Sequence, residues 1–193
     1  KCLTGIYMPN VTIGANVTGI EKYGLYKAGI QTLQFDPLCN IEELPDYAFA
    51  ENKIKQLTLP TGVKKIGAAF VENPLTSITL HEGIEEINGT FQDTKISSIE
   101  LPSTLKKILG NAFENCTGIS KINIGKNVEE ISDTAFIGTN ITGFYVDEEN
   151  QHYFDEAGIL YDKNGVLVAY PSGNTAEVYY ISDRVTLIPG HLL

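Results

Sequence analysis

Apolar residues recur along this chain in two short phrases that alternate. The first has the spacing i, i+3: Ile41/Leu44, Val63/Ile66, Ile84/Ile87, Leu105/Ile108 and Val128/Ile131. Each copy ends four or five residues before a phenylalanine, and Phe49, Phe70, Phe91, Phe113 and Phe136 follow one another at 21, 21, 22 and 23 residues. After each Phe comes the second phrase, apolar-x-x-apolar-x-apolar: Ile54-Leu57-Leu59, Leu75-Ile78-Leu80, Ile96-Ile99-Leu101, Ile119-Ile122-Ile124 and Ile141-Phe144-Val146. Asn, Asp, Gly, Thr and Pro gather between the phrases, where turns are needed. A repeat this short cannot hold two full helices. It predicts one strand per unit, joined by a turn or a short helical piece.

Alternate residues of a strand share a face, so Leu57 and Leu59 point to one side and Thr58 to the other. One such strand cannot bury its apolar face alone. Copies stacked about 4.8 Å apart build a parallel sheet over a continuous core, with the Phe of each unit in its centre. The pattern extends at both ends. Leu3-Ile6-Met8-Pro9 matches the strand phrase, and Val17-Ile20-Leu25 with Ile30-Leu33-Phe35 makes a degenerate unit. Val185-Ile188 followed by Leu192 or Leu193 opens another unit, and the C-terminal edge is expected to be a cut through a longer array. The expected architecture is about seven units of 21–24 residues in a single domain, 1–193. Within it, 1–40 are degenerate units, 41–147 regular repeats, 148–180 an insertion and 181–193 the start of a further repeat.

Charge follows the same period. The two residues inside each i, i+3 phrase are Glu42-Glu43, Lys64-Lys65, Glu85-Glu86, Lys106-Lys107 and Glu129-Glu130. Stacked in register, every doublet lies between doublets of opposite sign. A slip by one unit would put Glu on Glu and Lys on Lys, so the alternation selects register. The repeat breaks after Val146. Two β-prone runs, Gly158–Asp162 and Val166–Tyr170, flank Asn164-Gly165 and predict a β-hairpin. Tyr145, Tyr153, Tyr161, Tyr170, Tyr179 and Tyr180 lie in or beside this insertion. They either pack the hairpin onto the stack or form part of a binding face.

The phrase Leu105-x-x-Ile108-x(4)-Phe113-x-x-Cys116-x-x-Ile119-x-x-Ile122-x-Ile124 resembles the BspA-like leucine-rich repeat family, as does Val128-x-x-Ile131-Ser-Asp-Thr-Ala135-Phe136. Gly158–Tyr161, Leu167–Pro171 and Ile181–Ile188 resemble the hairpin insertion of many members. The resemblance covers Ile30 to Leu193 well and the first 29 residues weakly. It implies a leucine-rich-repeat solenoid of short parallel strands in a curved sheet, and a cell-surface or secreted protein of host-associated bacteria or parasitic protists. Some members are implicated in adhesion, and the family supplies no general catalytic residues to carry over. The units at Phe70 and Phe91 are one residue short, and only Cys116 occupies the family's cysteine slot.

Composition narrows the function further. Apolar residues make up 42% and charged residues 20%, as in a folded soluble protein. A net charge of −10 does not suit nucleic acid, and no apolar run is long enough for a membrane-spanning helix. Nothing at Lys1 looks like a signal peptide. Cys2, Cys39 and Cys116 give neither a disulfide framework nor paired metal-ligand spacing. No phosphate-cradling loop or nucleophile elbow is present, and His81, His152 and His191 are far apart. His81 reads as a turn residue, and periodic acidic doublets are not catalytic pairs. Asp147–Asn150 lacks the spacing of a calcium loop. Asn10, Asn16, Asn88, Asn115 and Asn140 start Asn-x-Thr sequons that read as turns followed by β-formers.

A non-catalytic module that takes a protein partner, without cofactor or metal, is therefore the expected function, and a monomer suffices for it. The host-matrix or cell-surface character of that partner is what the resemblance implies. The candidate face is the outward row of the strand phrase: Tyr7, Gln34, Thr58, Thr79, Glu100, Asn123 and Tyr145. Two alternatives are a spacer that displays another domain and a carbohydrate-binding module on the Tyr-rich insertion.

Overall fold

The structure, a computed structural model, describes residues 6–178 and 181–190; Cys2, Leu3, Tyr179, Tyr180, His191, Leu192 and Leu193 lie outside that range. The chain winds through about six turns of a coil, where about seven units were expected from the sequence. Turns alone join the strands, and no helix occurs among the described residues.

Each turn of the coil presents two strand columns. The i, i+3 phrases form β3 (Glu43–Leu44), β5 (Lys65–Ile66), β7 (Glu86–Asn88), β8 (Lys107–Leu109) and β10 (Glu130–Ile131). These make one five-stranded parallel sheet, ordered β10-β8-β7-β5-β3. The apolar-x-x-apolar-x-apolar phrases form β1 (Asn10–Ile13), β2 (Thr32–Phe35), β4 (Gln56–Thr58), β6 (Ser77–Thr79), β9 (Lys121–Ile124) and β11 (Gly143–Val146). This second column splits into three parallel pairs, β1-β2, β4-β6 and β9-β11. Between β6 and β9 the coil at Ile96–Leu101 forms no strand. The continuous sheet therefore belongs to the charged doublets rather than to the phrase read as the strand. Apolar spacing fixes which side chains are buried; it does not fix which backbone groups meet.

The doublets lie in the expected register. Glu43, Lys65, Glu86, Lys107 and Glu130 are successive neighbours across the sheet. Lys64–Glu42 (3.3 Å), Lys65–Glu86 (3.7 Å), Lys106–Glu85 (2.9 Å) and Lys107–Glu130 (2.7 Å) are ion pairs. Lys106 holds the Glu85 carboxyl below its usual range, and Glu130 holds the Lys107 ammonium above its own. All of these groups are solvated, so the ladder contributes to register more than to stability. Lys107→Glu would put three carboxylates side by side with Glu86 and Glu130. We expect it to lower the melting temperature at low salt, and molar NaCl or a second change, Glu130→Lys, to recover part of the loss. Differential scanning fluorimetry at two salt concentrations reads both effects.

The interior is a column. Phe49, Phe70, Phe91 and Phe113 are fully buried, and Phe136 nearly so. Phe49 stacks on Phe70 at 5.6 Å, and Phe113 stacks between Phe91 (5.4 Å) and Phe136 (5.6 Å). Leu25 takes the aromatic position one turn earlier: its N–H bonds to Ala48 as that of Phe49 does to Ala69. Two residues past each Phe the backbone is left-handed, at Glu51 (φ 53°), Glu72 (57°), Asp93 (58°) and Asn115 (58°). Non-glycine residues rarely adopt this conformation. Here the rest of the coil enforces it, and each of these N–H groups bonds to the next turn, at Val71, Gln92, Glu114 and Ile137. Gly138 serves the same position in the next turn with φ 69°.

Three residues past each Phe sits a buried polar or thiol group: Asn52, Asn73, Thr94, Cys116 and Thr139. Asn73 Nδ2 donates to the Phe70 (3.1 Å) and Phe49 (2.9 Å) carbonyls, and its Oδ1 accepts from the Ile54 N–H at 3.0 Å. Asn52 repeats this with Phe49, Leu25 and Ile30. Thr94 and Thr139 donate to the carbonyls of Phe91 and Phe136, and the Cys116 thiol donates to Phe91 at 2.9 Å. The slot closes the sharp turn after the aromatic column by satisfying carbonyls that no strand can reach. Burial raises the Cys116 thiol above its ordinary pKa.

The insertion is a three-stranded antiparallel sheet of β12 (Tyr153–Glu156), β13 (Ile159–Asp162) and β14 (Leu167–Ala169). β13 and β14 are the two arms of the expected hairpin, and β12 adds a third. The sheet covers the last parallel strands: Phe144 N–H bonds to the Gly158 carbonyl (2.9 Å), Val146 N–H to Asp155 Oδ1 (2.8 Å) and Ile131 N–H to the Tyr153 hydroxyl (2.8 Å). Beyond it the coil resumes. The Thr186 N–H bonds to the Gly165 carbonyl at 2.8 Å, as Glu129 bonds to Lys106, and Leu187 pairs in parallel with Val166. The segment at Val185 thus stacks on the hairpin, not directly on Val128–Ile131.

Candidate interaction face

The outward row of the split column is built by strand alternation. In β4 the pattern is exposed, buried, exposed, with Leu57 inward and Thr58 outward, and β6 repeats it with Ile78 and Thr79. Thr58 and Thr79 are register partners, as are Asn123 and Tyr145. Gln34 is partnered by Thr12. Tyr7, expected at the head of this row, lies off it. The phrase that builds the first strand is Met8-Val11-Ile13 rather than Leu3-Ile6-Met8, and Thr12 is its outward residue. Tyr7 is 66% exposed; its ring lies against Gly29, where a Cβ would meet Cδ2 at 2.6 Å, and its hydroxyl accepts from Gln31 Nε2 at 3.2 Å. Glu100 is exposed in the strandless coil between β6 and β9.

The row therefore has two characters. Its C-terminal part carries Glu100, Asn123 and Tyr145, with Lys121 beside them. Tyr145 is 47% exposed and the Lys121 ammonium lies 5.6 Å from its ring centre. Gly143, next to Lys121 in register, lies under that ring: a Cβ there would be in ordinary contact with the Tyr145 hydroxyl at 3.4 Å. The N-terminal part carries Thr12, Gln34, Thr58 and Thr79, with a second outward row of Asn10, Thr32, Gln56 and Ser77. A groove of about 1150 Å³ runs over β2, β4 and β6, with Asp36, Pro37, Lys55 and Pro60 among its walls. The groove was not legible in the sequence, because it depends on how neighbouring turns of the coil lie side by side.

Residues weighed for other chemistry fall into structural roles. His81 bridges a turn, with Nε2 2.9 Å from the Pro60 carbonyl and Nδ1 2.8 Å from that of Glu82. Asp147 closes a turn by accepting from the Glu149 N–H at 2.9 Å, and Glu149 pairs with Lys126 at 2.7 Å. Asn150 is buried, donating to Gly125 and Val128 and accepting from His152 and Tyr153. Cys39 and Cys116 are buried and unbridged. Of the insertion tyrosines, Tyr153 and Tyr161 are buried, and Phe154 stacks on Tyr161 at 5.3 Å. Burial pushes the Tyr153 phenol above its usual pKa. These rings pack the hairpin and are not offered to a ligand, which removes Tyr161 from a carbohydrate site on the insertion.

A parallel coil with a repeated aromatic core and an outward polar row defines a solenoid repeat protein. The chain belongs to the BspA-type leucine-rich-repeat family: the pattern of the BspA type leucine rich repeat region matches residues 1–90 and 42–157, in 6 copies. Among solved structures, a leucine-rich repeat protein from Eubacterium ventriosum is similar, with a TM-score of 0.78 and 24% identity over 92% of this chain and 50% of that one. The pneumococcal vaccine antigen PcpA is similar with a TM-score of 0.55 and 23% identity, over 93% of this chain and 40% of the other. Both likenesses concern the fold, and this chain spans half or less of either protein. A search among curated proteins finds no match.

Proposed function

We propose that this chain is a non-catalytic binding module, secreted or held at a cell surface, that takes a protein partner on the C-terminal part of the outward row. The observation that carries the reading is the exposed Tyr145, with Lys121 over its ring and Asn123 as its register partner; Glu100 is exposed in the coil one unit earlier in the sequence. An exposed aromatic ring bordered by a cation and an amide is the composition of an interface anchor with its polar rim. Membership in a repeat family without general catalytic residues supports a binding role over an enzymatic one. The family resemblance favours a host-matrix or cell-surface protein as the partner, and the antigen among its structural neighbours agrees with exposure outside the cell.

The test is capture of partners from an extracellular-matrix preparation, followed by affinity measurement with purified protein. Glu100→Lys combined with Tyr145→Ala should weaken the captured partner at least tenfold. Both residues are exposed, so the melting temperature should move by no more than a few degrees. A partner that binds the double variant as tightly as the unaltered chain would defeat the reading.

A further inference from the structure

The N-terminal half of the outward face differs from every other row on the molecule. The eight outward side chains of β1, β2, β4 and β6 are Asn, Gln, Ser or Thr, and all are exposed. None carries charge, in a chain with 38 charged residues (24 acidic, 14 basic). Among the described residues, none of the eight side chains is hydrogen-bonded to another protein group; neighbouring Gln31 and Thr76 are, to Tyr7 and Lys55. Seven of the eight, all but Asn10, line the groove over β2, β4 and β6.

We infer that this groove binds a neutral, linear glycan laid along the solenoid axis. Three properties of the face select that ligand. First, none of its eight outward positions holds an aromatic or arginine anchor of the kind that holds protein partners; Phe35 lines it half-buried, and Tyr7 is bonded to Gln31 at its edge. Second, Lys55 and Asp36 stand opposite in sign on its walls and the chain is strongly acidic, so a polyanion finds no cationic floor. Third, its groups repeat. Thr12, Gln34, Thr58 and Thr79 present hydroxyl or amide groups turn after turn, roughly 4.8 Å apart within each of the pairs β1-β2 and β4-β6. A single neutral hydrogen bond exchanged with water contributes only about 0.5–1.5 kcal/mol. Useful affinity then needs many equivalent contacts, which a polymer of identical hydroxyl-bearing units supplies and a folded protein surface does not. This site is separate from the one around Tyr145.

The experiment is titration of the full chain with cello- and manno-oligosaccharides of increasing length, dextran, and heparin as a polyanion, read by calorimetry. Affinity for at least one neutral series should rise with length and level off once the groove is filled. It should persist in molar NaCl. Gln34→Leu with Thr58→Val should weaken it at least tenfold at an unchanged melting temperature, while Tyr145→Ala leaves it intact. Three results would overturn the inference: no neutral glycan bound at millimolar concentration, binding confined to heparin and lost in salt, or binding indifferent to the groove variant. Loss of protein capture with glycan binding retained would strike the Tyr145 reading alone.

Discussion

Phe113→Ala is expected to lower the free energy of unfolding by about 3–5 kcal/mol, the range for truncating a large buried side chain. At about 2–4 °C per kcal/mol for a domain of this size, calorimetry should find the melting temperature lower by roughly 6–20 °C. Phe113 is fully buried and stacks on both Phe91 and Phe136. Its removal opens a void between two turns of the coil that neither neighbour can fill without leaving its own layer. Stability in a solenoid is a sum of turns and the interfaces between them, and this residue belongs to two interfaces. An unchanged melting temperature would mean that the aromatic column does not carry the core.

The second large effect is expected at Asn73. Asn73→Ala would orphan the Ile54 N–H and take one of the hydrogen bonds from each of the Phe49 and Phe70 carbonyls, which keep Asn52 Nδ2 and the backbone N–H of residue 73. The orphaned N–H costs about 1–3 kcal/mol and each lost bond to a carbonyl that keeps another donor about 0.5–1.5 kcal/mol, so the loss should be about 2–4 kcal/mol without full additivity. Asn73→Thr should cost less, because Thr94 and Thr139 show that a hydroxyl in this slot still reaches the carbonyl of the preceding Phe. Chemical denaturation of the two variants side by side separates the hypotheses. Equal losses would show that neither the volume nor the hydroxyl of Thr replaces the amide, and would place the slot's contribution in the bond from the Ile54 N–H.

Much of this architecture could be read from residues alone because stacking repeats each constraint. The aromatic positions, the sign alternation of the doublets and the arms of the hairpin each appear several times or carry strong turn chemistry. What could not be read is what depends on backbone contact between turns. The phrases Ile96-Ile99-Leu101 and Ile54-Leu57-Leu59 have the same spacing, yet only the second holds a strand, β4. Met8 fits two overlapping frames, and the choice between them moved the outward position from Tyr7 to Thr12. The residues after each Phe read as turn formers, and only Cys116 stood out, through the family's pattern. The buried Asn52 and Asn73 belong to the same slot, since an amide reaches the same carbonyls as a thiol. The neutral groove escaped for a related reason: Thr, Ser and Gln on a strand's outer face are ordinary one at a time, and their meaning lies in adjacency.

The hairpin has one consequence for how such a chain can vary. Its tip, Gly165–Leu167, offers Thr186 and Leu187 the same hydrogen-bonding edge that Lys106 offers Glu129. Propagation of the coil therefore passes across the tip and ignores the length of the excursion behind it. A longer side branch there would add only loop-closure entropy, about 0.6 kcal/mol for each doubling, while the layers on either side kept their spacing. The rod can sprout laterally without being cut.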